Sequence, residues 1–299
     1  MAVAELPTNK PPTLQQRTST TSTLTIPSRT GHRRVLKDIF VKATSSGYID
    51  VAIGNITLFR IYDNLSQAQL ISDPTIRFNR LGFLNFLSTI IPDFPFPNAA
   101  QDEDIIITRS AAPTLMKAVF EDQTGVDAVT KTVTGGSMSL RHFLPIILKN
   151  NSDIEGTGEY EFDALDLPSG LSPFAESPDI ITGGRHIPTG QRYTIYAIAG
   201  DFPTVGTTTK SKTTRVYIRD EQIMLFTSEN AEGILVDPEI GNELAFNLSP
   251  LKAFILPEPY VMLPNRLFTF KGYAFHNGSD DLPAGSQKLI LLGIREFVT

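Results

Sequence analysis

The side chains best suited to acid–base or metal chemistry are His32, His142, His186 and His276, and no two of them stand at a ligating spacing. Each reads better as a surface or interface residue. The chain has no cysteine, which removes thiolate nucleophiles, disulfides and Cys-bearing zinc sites. A phosphate-wrapping loop needs a glycine directly before its Lys-Ser pair. The nearest string, Gly206-Thr207-Thr208-Thr209-Lys210-Ser211, lacks that glycine and sits in a polar stretch. There is no Gly-x-Gly-x-x-Gly and no Gly-x-Ser-x-Gly. Acids adjoin at Asp102-Glu103-Asp104 and Asp280-Asp281 without the alternation and central glycine of a calcium loop, so they read as solubilising loop tips. Asn-x-Ser/Thr triplets, among them those at Asn55, Asn64, Asn150 and Asn277, are what chance supplies in a chain rich in these residues. The expectation is therefore no catalytic, cofactor-binding or metal residues. A triad drawn from distant loops has no local signature and stays open as a third reading, a hydrolase.

The elements that would position any site are strands. The 299 residues are 41% hydrophobic and 19% charged, enough for a sizeable core under a lightly charged surface. Turn-forming Thr, Ser, Asn, Gly and Pro punctuate short apolar runs about every ten residues, which favours sandwiches over βαβ units. Val35 to Thr44, Tyr48 to Ile53 and Ile56 to Ile61 are strand-like, as are Ile105 to Thr108, Met116 to Glu121 and Val126 to Thr134. In the second half, Tyr193 to Ala199, Thr213 to Ile218, Gln222 to Thr227, Gly233 to Val236, Glu243 to Asn247, Lys252 to Leu256, Leu267 to Phe275 and Lys288 to Phe297 follow. Leu81, Leu84, Leu87 and Ile91 recur at helical spacing and predict one short helix. Ser139 to Lys149 fits a helix face or an edge strand. These patterns predict an unstructured arm over 1–24, a sandwich over 25–150, a linker or functional loop over 151–184 and a second sandwich over 185–299.

Charge is uneven. Lys10, Arg17, Arg29, Arg33 and Arg34 oppose only Glu5 in the first 34 residues, a net of +4 that leaves −10 on the remainder. A basic arm on an acidic body suits a phosphate-rich partner, membrane or genome. No apolar run approaches the roughly 18 residues of a membrane span. The opening Met1-Ala2-Val3-Ala4-Glu5-Leu6-Pro7 lacks a signal-peptide pattern, so synthesis in the cytoplasm is expected.

One phrase occurs twice. Ile26-Pro27-Ser28-Arg29-Thr30-Gly31 leads into one strand run, and Ile187-Pro188-Thr189-Gly190 leads into another. With the Ser/Thr/Pro-rich arm before the first copy and the closing Leu282-Pro283-Ala284-Gly285 lead-in, the chain resembles the jelly-roll capsid proteins of tailless icosahedral viruses. The double-jelly-roll major capsid proteins of membrane-containing phages are the nearest in style. The resemblance is architectural and runs from about Leu24 to Thr299, with no diagnostic string.

It implies an all-β fold of two jelly-roll sandwiches with short helices and a flexible N-terminal arm. The implied function is a non-enzymatic virion protein that assembles as trimers into a shell with copies of itself and other virion proteins. It implies no cofactor and no small-molecule substrate. Arg29, Arg33 and Arg34 would face the virion interior, against membrane or genome. The rigid aromatic segments at Phe94 and Phe96 and at Pro259 and Tyr260 would contact neighbouring subunits. The alternative is a β-sandwich module of a tail fibre or adhesin that recognises sugars or a host protein, with Tyr160, Tyr193, Tyr196 and Tyr273 as its aromatic patch.

Overall fold

Alternating burial is the local rule from which the sheets are built. In Leu115–Thr124, Met116, Ala118, Phe120 and Asp122 are buried while the residues between them are not, the period-two signature of a strand with one face inward. The computed structural model describes residues 13–43, 47–62, 83–124, 141–166, 175–176, 185–201, 212–220, 223–227, 253–265, 270–277 and 280–298. The expected strands at 126–134, 233–236 and 243–247 lie outside these residues, as do 1–12. The chain divides into two units, Met1–Phe143 and Leu144–Thr299. Among the described residues it is all-β, with antiparallel sheets and one short helix.

The first unit runs β1 (Thr13–Ser19), β2 (Thr23–Ile26), β3 (His32–Lys42), β4 (Tyr48–Ile53), β5 (Ile56–Tyr62), α1 (Phe83–Ile90), β6 (Asn98–Ala99), β7 (Ile105–Arg109) and β8 (Leu115–Thr124), and ends in β9 (Arg141–Phe143). One sheet has the order β1-β8-β3-β6 and the other β2-β7-β4-β5. Leu36, Ile39, Val41, Ala118 and Phe120 of the first sheet and Val51, Ile53, Phe59, Ile61 and Ile107 of the second are all nearly inaccessible.

One expectation about this unit changes and another holds. The stretch from Thr13, read as unstructured because it is polar, is a strand paired with β8 from Thr13↔Asp122 to Ser19↔Met116. Backbone hydrogen bonding needs no apolar side chain, so polarity did not reveal it. The predicted helix is α1, with Leu84, Leu87 and Ile91 buried. Its first turn has no acid of its own. Buried Asp38 of β3 supplies one, its Oδ1 accepting from the Leu84 amide at 3.1 Å and the Asn85 amide at 3.5 Å. A carboxylate there satisfies orphan donors and complements the positive end of the helix. Asp38→Ala is expected to cost about 1–3 kcal/mol, read as a lower midpoint in thermal or urea unfolding.

The second unit runs β10 (Ile146–Lys149), β11 (Gly158–Glu161), β12 (Ala164–Leu165), β13 (Ala175–Glu176), β14 (Arg185–His186), β15 (Gln191–Asp201), β16 (Lys212–Asp220), β17 (Ile223–Thr227), β18 (Ala253–Met262), β19 (Phe270–Asn277) and β20 (Lys288–Phe297). One sheet has the order β12-β10-β20-β15-β18, the other β11-β19-β16-β17, and β13 pairs with β14 alone. Leu144, Ile146, Tyr193, Ile195, Leu289 and Leu291 share a core cluster with Phe162 and with Ala274 of the other sheet. The unit thus begins at Leu144, and the expected linker 151–184 contributes β11 and β12 to its sheets. These are strands of four and two residues, and they fall at the short run Tyr160 to Leu165, where the sequence reading expects some order to interrupt the linker. The lead-in to β20 is fixed by buried Asn150, whose amide donates to Ser152 O at 2.8 Å and Pro283 O at 3.0 Å while its Oδ1 accepts from the Gln287 amide. That amide is fully engaged, which disposes of Asn150 as a glycan acceptor.

The units repeat one plan. Counting the eight strands β1 to β8 in the first, and β10, β11 and β15 to β20 in the second, both have a sheet ordered first-eighth-third-sixth and a sheet ordered second-seventh-fourth-fifth. The third strand has eleven residues in each. Each is entered by a Thr-Gly turn whose glycine has positive φ, 75° at Gly31 and 73° at Gly190. The next amide closes the turn, His32 N to Arg29 O and Gln191 N to Pro188 O, both at 3.0 Å. Each third strand then bulges at its sixth residue against the eighth strand, the register shifting across Lys37 in one and Tyr196 in the other.

Candidate interaction surface

Charged side chains gather at one end of the first unit, around a carboxylate the sequence reading passed over. Asp122 occupies the last place in the inward row of β8, with its side chain 4% exposed. Its Oδ1 lies 2.7 Å from His32 Nδ1, and its Oδ2 accepts from Gln15 Nε2 at 3.1 Å. Arg34 Nε is 4.0 Å away and Arg29 Nη1 3.9 Å away. β3 explains the convergence. His32 and Arg34 are two residues apart, so they share a face, and Arg34 is directly opposite Asp122 in register. Arg33 points the other way and donates to Gln123 Oε1 at 3.1 Å.

The three arginines expected on a flexible arm therefore differ. Arg34 is buried, with its Nη1 donating to Pro27 O. Burial pushes its pKa down, with Arg29 and Arg17 adding to that effect and Asp122 opposing it. Arg33 is held on a strand. Arg29 alone keeps a largely exposed side chain, at 62%. Arg17, exposed on β1, donates to Thr25 O at 3.0 Å. Arg17 and Arg29 leave guanidinium donors facing solvent, so this end can meet an anionic group. The acidic triplet has a local role as well: Asp104 Oδ1 accepts from the Ser28 amide at 2.5 Å, bracing the turn that carries Arg29. The missed signal was an acid standing in the apolar row Met116, Ala118, Phe120.

Phe94, expected at a subunit contact, is buried within this unit, its ring centroid 5.5 Å from that of Phe143 and 5.0 Å from that of Phe96. Phe96 is half-buried, with Lys37 Nζ 4.2 Å above its ring. Pro259 and Tyr260 belong to strand β18. Ile195 pairs with Tyr260 and Ala197 with Ile255, so Leu256, Pro257, Glu258 and Pro259 bulge opposite Tyr196. Tyr260 packs on the core and Pro259 remains exposed. Beside it stand Ile255, Val261 and Leu263, exposed at 44%, 40% and 59%.

Of the four tyrosines proposed as a sugar platform, Tyr193 is fully buried and Tyr160 packs on the same core. Tyr196 and Tyr273 are half-buried. Tyr193 Oη donates to Leu144 O at 2.5 Å, and burial raises its pKa well above the ordinary phenol value. In the unfolded chain the phenol ionises near pH 10. The folded form resists that ionisation, so stability is intact below that pH and falls as pH rises beyond it. Tyr193→Phe is expected to flatten this alkaline loss while lowering neutral-pH stability by about 1–2 kcal/mol, read from urea unfolding at pH 7 and pH 11.

His276 is fully buried with Nδ1 2.5 Å from Gly156 O. Among the described residues no group of three or more His, Asp or Glu is placed to hold a metal ion, and no helix is long and apolar enough to cross a membrane. No family model and no curated protein matches this chain. A solved structure described as "Structure of PNGF-II in P21 space group" aligns with 93% of this chain and 60% of that one, at 10% identity and a TM-score of 0.24. The chain thus spans about 60% of that protein's length, and a likeness at this score carries no argument.

Proposed function

We propose that both units are jelly rolls and that the chain is a virion structural protein, a major capsid protein that assembles as trimers into an icosahedral shell. The observation that carries this reading is the repeated strand order, first-eighth-third-sixth over second-seventh-fourth-fifth, with the same entry turn and the same bulge in both third strands. Eight strands wound in that order make a double-sheet jelly roll, an architecture used by capsid and lectin domains. Two in one chain give a trimer six similar blocks, a pseudo-hexagonal outline that tiles a closed surface. The exposed apolar row Ile255, Val261 and Leu263, beside Pro259, is the subunit contact this reading selects in place of Phe94 and Phe96. Arg17 and Arg29 are the cations available to an internal membrane or genome.

The sugar-binding alternative loses support, because Tyr193 and Tyr160 belong to the core. Light scattering on purified protein with electron microscopy of the same sample tests the proposal. Trimers and shells are expected; a strict monomer at high concentration, with no particles, overturns it.

A further inference from the structure

The first strand of each unit takes the same place in its sheet, yet the two are held by different forces. In the second unit this strand is β10, whose Ile146, Ile147 and Leu148 are buried. In the first it is β1, Thr-Leu-Gln-Gln-Arg-Thr-Ser, with six of seven residues exposed. The register puts Thr13, Gln15, Arg17 and Ser19 opposite Asp122, Phe120, Ala118 and Met116, the inward row of β8. All four are polar. The one apolar residue, Leu14, lies on the other face and is 69% exposed. β1 thus buries no large apolar side chain. What holds it is the backbone ladder to β8, with Gln15 on Asp122 and Arg17 on Thr25 O. Without apolar burial, a ladder at a sheet edge opens more readily than the core strands beside it.

The link to β2 is the short segment Thr20 to Ser22, closed by solvent-exposed hydrogen bonds. Ser19 Oγ and Thr21 Oγ1 each donate to Thr23 O, at 2.8 and 2.9 Å, all at exposed positions where water replaces them. The anchored side begins at Ser22, whose carbonyl accepts from the Arg109 amide at 2.7 Å. Removal of β1 bares the edge of β8 and strips Asp122 of Gln15, so the slot is not left empty at low cost. The sequence that fits it is visible in the structure, because β1 fills it.

We infer that β1 is an exchangeable strand, and that the slot along β8 accepts β1 from a second copy of this chain. Exchange preserves the contacts between β1 and its slot, with Gln15 on Asp122 and Arg17 on Thr25 O now made between copies, and gives up only the exposed hydrogen bonds of the link, so it favours association without a new interface. This rests on the self-assembly reading, since it needs copies held close together.

The absence of cysteine makes the test direct. Leu14 and Glu121 are paired across the ladder. Chains carrying Leu14→Cys are mixed with chains carrying Glu121→Cys, incubated at assembling concentrations and oxidised. A disulfide between chains is expected, growing with protein concentration and exceeding that of a control mixture of Ile56→Cys with Glu121→Cys. Chains carrying both Leu14→Cys and Glu121→Cys show whether the pair closes within one molecule. Hydrogen exchange on the unmodified protein gives a second readout, with β1 amides expected to exchange on the order of 100-fold faster than those at the centre of β3. No excess of inter-chain disulfide over the control, or β1 protection equal to that of β3, overturns the inference. Light scattering separates it from the capsid reading. Inter-chain disulfides without trimers or shells keep the exchange and remove the capsid, while trimers or shells linked only within chains do the reverse.

Discussion

Replacing Gly293 by alanine is expected to destabilise the second unit by about 3 kcal/mol or more, enough to threaten folding. A Cβ built on Gly293 lies 2.4 Å from both Cζ and Oη of Tyr193. Such an overlap is relieved only by movement, and the ring has nowhere to go. Tyr193 is fully buried, and its hydroxyl is tied to Leu144 O at 2.5 Å and lies 3.4 Å from Leu291 O. Gly293 is therefore a packing requirement: its hydrogen makes room for an aromatic ring laid across β20. Tyr193→Ala removes the ring and costs about 3–5 kcal/mol by itself. In the double variant the clash is gone, so the combined loss should fall short of the sum by about 1–3 kcal/mol. Urea unfolding of the four chains gives the cycle. A Gly293→Ala chain within about 0.5 kcal/mol of the parent would show that the ring is not locked as described.

Asp122→Ala is expected to cost about 3 kcal/mol, because it strands a buried guanidinium. Arg34 keeps Pro27 O as an acceptor but loses the nearest opposing charge, and His32 and Gln15 lose theirs as well. Arg29 and Arg17 then act on Arg34 as like charges offset only in part by Asp104. Removing both members should be milder. Asp122→Leu with Arg34→Met leaves an apolar pair of similar size and is expected to recover at least half of the loss, since the dominant penalty is an unpaired buried charge. Thermal unfolding of the three variants decides this. An Asp122→Ala chain as stable as the parent would mean that solvent reaches Arg34 freely.

Much of the fold was legible in the chain. The strand Tyr48–Ile53 stands where turn residues bound it, and Lys288–Phe297 where an apolar run follows the Leu282-Pro283-Ala284-Gly285 lead-in. The repeated Ile-Pro and Thr-Gly lead-ins were readable because a positive-φ turn demands glycine and so leaves its mark in sequence. The helix α1 was readable because its buried leucines recur at the helical period. Where the pattern was blank, the reading failed. β1 is polar but for Leu14 and looked like an arm, and the second half of β18, where Pro257 and Pro259 stand, looked like a loop after a strand ending at Leu256. A strand at a sheet edge needs only a hydrogen-bonding partner, and that partner, β8 or β15, is about 60 to 100 residues away.

The amino-acid sequence alone determined that this protein is built of short antiparallel strands around an apolar core, with one turn used twice, because those features depend on neighbours a few residues apart. Only the tertiary structure decided which strands pair, that Arg34 is an interior residue facing Asp122, that Asp38 caps a helix 46 residues on, and that Tyr193 needs Gly293. Those outcomes depend on which groups share the same few ångströms once the chain is folded, and spacing along the backbone carries no record of that.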